Sequence, residues 1–229
     1  MTPETTNTTS YWQTAFPIKP ATDAVDAICE SWRILAEKPR PGFHAGLREP
    51  VLTKALKSHV ENVTARQRGL LGMWAAESII NKLDPETAIL IEERRTDIVY
   101  GWNDATDSIQ LVFEFKKLDR KARARKEYLG SDGLGRFVTG LYSCRQPIAA
   151  MVGILLDSFD DVVPPIQSAL CDKTAISDLN ICLRPDGAVY DQPSQLFTAA
   201  DFDTEHTRPS DLAPKNGKIR VAHLFLPFQ

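Results

Sequence analysis

Apolar residues recur at helical spacing through the first third of the chain and at strand spacing through its middle. In "TDAVDAICESWRILAE" (22–37), Val25, Ile28, Trp32 and Leu35 fall three or four apart behind an N-cap candidate at Thr22 or Asp23. That spacing predicts an amphipathic helix. "KPRPGF" breaks it, and further helices are expected over roughly 48–61 and, in "ARQRGLLGMWAAESIINKL", 65–83, with "DP" at 84–85 as the stop. The period then changes to two. "AILIEERR" (88–95), "TDIVYGW" (96–102) and "IQLVFEFKK" (109–117) are rich in β-branched and aromatic residues, and "NDATDS" (103–108) is turn chemistry.

Helical spacing returns through the basic segment and "GLGRFVTGLYSC" (133–144). "IAAMVGILL" (148–156) is a nearly unbroken apolar run, as in a strand covered on both faces. A helix near 163–174, a strand at "DLNICLR", a loop-rich stretch over 184–217 and a final strand "KIRVAHLFLPF" complete the order. Residues 1–20 are Thr-rich and polar and read as a loosely held arm.

One strand breaks its own pattern. In "LVFEFKK" (111–117), alternation puts Leu111, Phe113 and Phe115 on one face and Val112, Glu114 and Lys116 on the other. A half-exposed sheet with a surface ion pair explains an acid and a base there, and so does a metal site. A hairpin turn centred between residues 105 and 106 would set Asp97 directly opposite Glu114, with Cβ atoms ~4.5–5.5 Å apart. Two carboxylates so placed repel unless a hard cation lies between them. A one-residue slip would turn Asp97 to the other face. Upstream, Leu70, Trp74, Glu77 and Ile80 share one face of the expected 65–83 helix. Glu77 there is either an edge acid paired with Arg66 or Lys82, or a third ligand.

Charge sharpens this picture more than composition does. With 43% apolar and 25% charged residues over 229 positions, the chain has ordinary globular proportions and room for one α/β domain. The net charge of −3 excludes a uniformly basic protein, yet "KKLDRKARARK" (116–126) holds seven Lys or Arg against one Asp. Lys117, Arg120, Lys121, Arg123, Arg125 and Lys126 follow the metal-site strand directly and suit phosphate contacts or a solvated helix face. The four cysteines form no CxxC pair, which leaves zinc-ribbon and thioredoxin chemistry unsupported and reads as reduced thiols. Neither a secretory leader nor an apolar run long enough for a membrane span is evident, so a cytoplasmic protein with no membrane partner is expected. "GLGRFVTGLYSC" lacks a Walker lysine and reads as packed helix. His206 in "DTEHTR" (203–208) is a candidate for phosphate contact or for positioning the last strand, and His223 for a satisfied core group.

Asp97 followed by Glu114-x-Lys116 on adjacent strands, with Glu77 upstream, resembles the PD-(D/E)xK nuclease superfamily. The resemblance covers roughly 67–157, about 40% of the chain, and departs from the motif's name in having Thr96 where the proline stands. It implies a restriction-endonuclease-like αβββαβ core over 67–157, helical N-terminal decoration and a β-containing C-terminal extension over 158–229. It further implies Mg²⁺-dependent phosphodiester hydrolysis, with Mn²⁺ as a substitute, on nucleic acid and on DNA first. Asp97, Glu114, the Phe115 carbonyl and Glu77 would be metal ligands, and Lys116 would orient or help deprotonate the attacking water. Arg136, Tyr128 and Tyr142 are candidates for a polar residue reaching the site from the following helix, with Arg136 on the nucleic acid. The resemblance also implies a setting in restriction, anti-phage defence or repair, beside a helicase or ATPase subunit, and admits a homodimer. Two rivals stand beside it. One is a catalytically silent nucleic-acid-binding or assembly subunit on the same fold; the other is a metal-independent interaction protein whose Glu114–Lys116 pair lies on the surface.

Overall fold

Gly69 ends the helical first third of the chain. In the computed structural model, which describes residues 17–228 apart from 84, 85, 87–89, 104–107 and 141, Gly69 takes φ 64°. Its N–H bonds to Arg66 O, and the Leu70 N–H bonds to Ala65 O. This is the left-handed stop that glycine adopts without a Cβ penalty. Helix α1 (Ile18–Ala36) and α2 (Glu49–His59) precede it, and α2 runs through a π-helical turn (Val60–Thr64) into a short α3 (Ala65–Arg68). Val25, Ile28, Trp32 and Leu35 are all buried, as their spacing predicts. Helix α1 starts inside the expected arm, while residues 1–16 lie outside the described residues.

The expected helix over 65–83 is therefore wrong beyond Arg68. Residues Met73–Ala76 form strand β1, and Ile79–Leu83 (β2) pairs with Leu90–Arg95 (β3) as a separate two-stranded ribbon. Gly72 has φ 137°, and the Tyr100 ring occupies the space its Cβ would need, 2.5 Å away. The apolar spacing of Leu70, Trp74 and Ile80 suits a helix, but backbone geometry at the two glycines decides against it. The "DP" stop lies outside the described residues.

The main sheet has seven strands in the order β1–β4–β5–β6–β9–β8–β7. Its remaining members are β4 (Ile98–Asn103), β5 (Ser108–Leu118), β6 (Ile148–Leu155), β7 (Tyr190–Asp191), β8 (Phe202–Thr207) and β9 (Lys218–Pro227). Strands β1, β4 and β5 are antiparallel; β6 and β9 lie parallel to β5 and to each other; β8 and β7 return antiparallel. The β5–β6 crossover carries α4 (Ala122–Leu129) and α5 (Leu134–Val138), and β6 is followed by α6 (Phe159–Leu170) and α7 (Lys173–Asp178). Helical structure after the basic segment is shorter than the spacing over 133–144 suggests.

Each face of the sheet has its own core. Leu111, Phe113 and Phe115 pack with α1 and α2, whereas Val112 and Leu118 pack with α4, α5 and α6. Burying each such phenylalanine contributes about 1.5–3 kcal/mol. The half-exposed sheet is thus excluded at β5. Every residue of β6 is buried, as its unbroken apolar run predicts. "DLNICLR" forms no strand and contributes one isolated bridge, Ile181 to His206, whereas "DTEHT", expected in a loop, lies in β8. No helix among the described residues is long and apolar enough to cross a membrane.

Candidate metal and phosphate site

The register of β4 on β5 places the acids. Ile98 faces Phe113 and Val99 faces Val112, so Asp97, one residue before β4, extends the ladder opposite Glu114, as the turn centre requires. The Phe115 N–H donates to Asp97 Oδ2 (2.8 Å), fixing that carboxylate at the strand end. On the other side Ala76 faces Ile98, and the Glu77 N–H donates to Asp97 O (3.1 Å). Glu77 therefore does stand beside Asp97, but from the end of a strand rather than from a helix face. It holds φ 51°, a left-handed conformation that costs a side-chain-bearing residue about 1 kcal/mol. Among the described side chains its partner is Lys54 of α2 (2.9 Å) and not Arg66, while the Lys82 side chain lies outside them.

Glu114 is completely buried. Its Oε1 accepts from Lys116 Nζ (2.7 Å) and from Arg136 Nη1 (2.9 Å), whereas Oε2 has no hydrogen-bond partner among the described residues. The pair with Lys116 is accordingly no surface ion pair, which removes the observation behind the metal-independent rival. Burial pushes the Glu114 carboxyl up to about 7; Asp97 adds to the rise, and Lys116 and Arg136 oppose it. Burial also lifts Asp97 above the usual carboxylate range, with the charge of Glu77 adding and the Phe115 N–H opposing. Burial pulls the Lys116 ammonium down, but Glu114, Glu49 and Asp97 more than restore it, so its pKa lies above the ordinary lysine value.

Sequence reasoning missed Glu49. It stands in the first turn of α2, where its Oε2 accepts from the Lys117 N–H (2.9 Å) and its Oε1 lies 3.6 Å from Lys116 Nζ. Burial raises its pKa, and Asp97 adds to the rise. Nothing in the local sequence distinguishes it from a solvated acid early in a helix, the position the helix dipole favours. The only signal is tertiary: α2 crosses the end of β5. Tyr142 joins the site with Arg136, accepting from its Nη1 (2.7 Å) while donating to Arg95 O. Burial and the charge of Glu114 push its phenol up to about 12. Tyr128 does not join; it is buried against His223 Nδ1 (2.9 Å).

The cations of 117–136 divide. Lys117 Nζ is spent on Ala45 O (2.6 Å) and Leu47 O (2.9 Å), and Arg136 on Glu114 and Tyr142. Lys121 pairs with Asp119 and Arg123 with Glu127. Arg120, Arg125 and Lys126 have no ion pair with the described residues. Arg125 and Lys126 line a groove of about 790 Å³ between α4, α5 and α7, which the carboxylates do not line. His206 is fully buried, its Nδ1 on Leu179 O (2.8 Å) and its Nε2 on Thr204 Oγ1 (2.7 Å), so contact with phosphate is excluded and a place in the packing of β8 remains. His223 is a satisfied core group between Tyr128 and Thr204.

The donor set fits a hard divalent cation in part. Asp97, Glu114 and the Phe115 carbonyl offer oxygen donors of the kind such an ion takes, and Glu114 Oε2 is a buried acceptor without a partner among the described residues. Among the described residues no group of three or more His, Cys, Asp or Glu is arranged to hold a metal. Mg²⁺ binds through one or two carboxylates and keeps several waters or substrate oxygens, so two acids and a carbonyl meet its demand. No family model, curated protein or solved structure matches the chain.

Proposed function

We propose that the chain is a Mg²⁺-dependent nuclease of restriction-endonuclease-like fold, hydrolysing phosphodiester bonds in nucleic acid, DNA first. The observation that carries the reading is the pairing of Asp97 and Glu114 across β4 and β5, with Lys116 two residues on. Support for the fold comes from the succession of α1–α3, β1, β4, β5, α4–α5 and β6, with the β2–β3 ribbon inserted after the first strand. Asp97, Glu114 and the Phe115 carbonyl would hold the ion, and Glu77 would reach it through water. When bound, the ion lowers the pKa of a coordinated water and offsets charge on the scissile phosphate.

The chain's own residues supply the rest. The Phe115 N–H keeps Asp97 Oδ2 aimed at the end of β5. Lys116, held protonated by three acids, serves as a cation and hydrogen-bond donor toward water and the non-bridging phosphate oxygens. Of the two roles expected from the sequence, orienting the attacking water or helping to deprotonate it, this favours the first, since an ammonium with a raised pKa has no free lone pair at neutral pH. Arg136 steadies Glu114 Oε1 and leaves Oε2 for the ion. Arg120, Arg125 and Lys126 are the side chains that meet phosphates along a bound strand.

A second reading, a catalytically silent nucleic-acid-binding or assembly subunit, draws on Lys116 Nζ lying on Glu114 Oε1 and on Phe115 O (3.0 Å), two of the proposed ligand oxygens. Titration calorimetry with Mn²⁺ separates the two. The nuclease reading expects binding that Asp97→Asn and Glu114→Gln each remove. Heat that is absent from the native chain, or unchanged in both variants, rejects it in favour of the silent subunit.

A further inference from the structure

Arg208, the residue after β8, is a cation in the wrong place for ordinary stability. It is 5% exposed and no carboxylate of the described residues pairs with it. Its guanidinium donates instead to three backbone carbonyls: Nε to Phe137 O (2.7 Å), Nη1 to Ser143 O (2.7 Å) and Nη2 to Tyr142 O (2.6 Å). A charge buried against neutral acceptors is expensive, and burial pulls its pKa down to about 10. Phe137 lies in α5, and Tyr142 and Ser143 in the turn after it; Arg136 of the same helix reaches both Glu114 and the Tyr142 hydroxyl. A second contact holds the same turn from outside. Gly140 has φ 82°, a Cβ there would lie 2.6 Å from Leu212 Cβ, and the Arg145 N–H donates to Leu212 O (3.0 Å).

We propose that Arg208 is a positioning residue: with Leu212 behind it, its planar fork fixes the turn after α5 against that helix so that the Arg136 guanidinium meets both Glu114 and the Tyr142 hydroxyl. The connection between β8 and β9 is by this account part of the site's construction. Lysine cannot replace the fork, because one ammonium cannot span three carbonyls in a plane. The effect on catalysis rests on the nuclease reading; the effect on Arg136 and Tyr142 does not.

The test compares Arg208→Lys and Gly140→Ala with Leu170→Ala, which removes core packing from α6 in the same cluster but none of the hydrogen bonds that hold the turn. NMR follows hydrogen exchange of the Arg136 guanidinium and the ring-carbon shift of Tyr142, and DNA cleavage is measured in Mg²⁺. Arg208→Lys and Gly140→Ala should each speed Arg136 exchange by at least about tenfold and move the Tyr142 signal toward its solvent-exposed value, while Leu170→Ala changes neither. The same two variants should lose kcat on the order of 10²-fold with KM little changed, as expected of misplaced catalytic groups. Native Arg136 and Tyr142 signals in a folded Arg208→Lys protein overturn the proposal. Should that variant not fold, Gly140→Ala decides on the same signals. Shifted signals in a chain that cleaves nothing uphold the positioning role and reject the nuclease reading alone.

Discussion

Glu114 concentrates the cost of the site in one residue. Burial and the nearby Asp97 outweigh the two cations on its Oε1, and its Oε2 has no partner among the described residues, so its proton is held up to about pH 7. A free glutamate carboxyl ordinarily titrates at 4.5. The metal-free folded chain thus binds this proton more tightly than the unfolded chain, and wild-type stability falls as pH rises from about 4.5 to about 7. Glutamine at this position does not titrate. The stability of Glu114→Gln relative to wild type should therefore climb across that window, by roughly 3 kcal/mol at most, and stay flat above it. Urea unfolding in EDTA at several pH values measures this, and a difference that does not vary with pH contradicts the assigned burial. A bound divalent cation would favour the ionised form and reverse the penalty.

At the level of elements, β5 holds Glu114 and Lys116 in a sheet covered on both faces, with β6 packed beside it. Gly153 of β6 lies opposite Lys116, and a Cβ there would come within 2.4 Å of Leu118 and 2.7 Å of Phe225. Gly153→Ala should destabilise the fold by about 1–3 kcal/mol through overpacking, read as a lower urea midpoint with the slope unchanged. Unchanged stability would mean that the β5–β6–β9 contact is looser than described. Much of this arrangement was legible in the sequence. Period-two alternation gives β4 and β5, and the turn centre gives the Asp97–Glu114 register. The unbroken apolar run gives β6, and the spacing of Val25, Ile28, Trp32 and Leu35 gives the buried face of α1. What was illegible had specific causes. Trp74 and Ile80 satisfy helical spacing by coincidence, and only the backbone angles at Gly69 and Gly72 turn that segment into strands. Glu49 and Arg208 reach the site through tertiary crossings that no local pattern encodes. His206 sits among turn-forming polar residues, yet pairing with β9 draws it into a buried strand.

Across the whole molecule, charge and fold act together. A chain with net charge −3 repels nucleic acid overall, so the proposed binding would depend on the local cations of α4 and its approach. Arg120, Arg125 and Lys126 are free of ion pairs with the described residues, unlike Lys121, Arg123 and Arg136, while Lys117 Nζ is taken up by the Ala45 and Leu47 carbonyls. Replacing those three with serine should weaken binding to unrelated DNA sequences alike and reduce the slope of log K against log salt by about 2–3. An unchanged slope would place the phosphate path elsewhere on the surface. The central claim is that Asp97 and Glu114 together hold a catalytic cation, and DNA cleavage by the native chain and by Asp97→Ala, in Mg²⁺ and in EDTA, tests it most directly. The account predicts cleavage by the native chain in Mg²⁺ and none in EDTA or in the variant. A native chain that cleaves nothing in Mg²⁺, or an Asp97→Ala chain that cleaves as well as the native one, would contradict it.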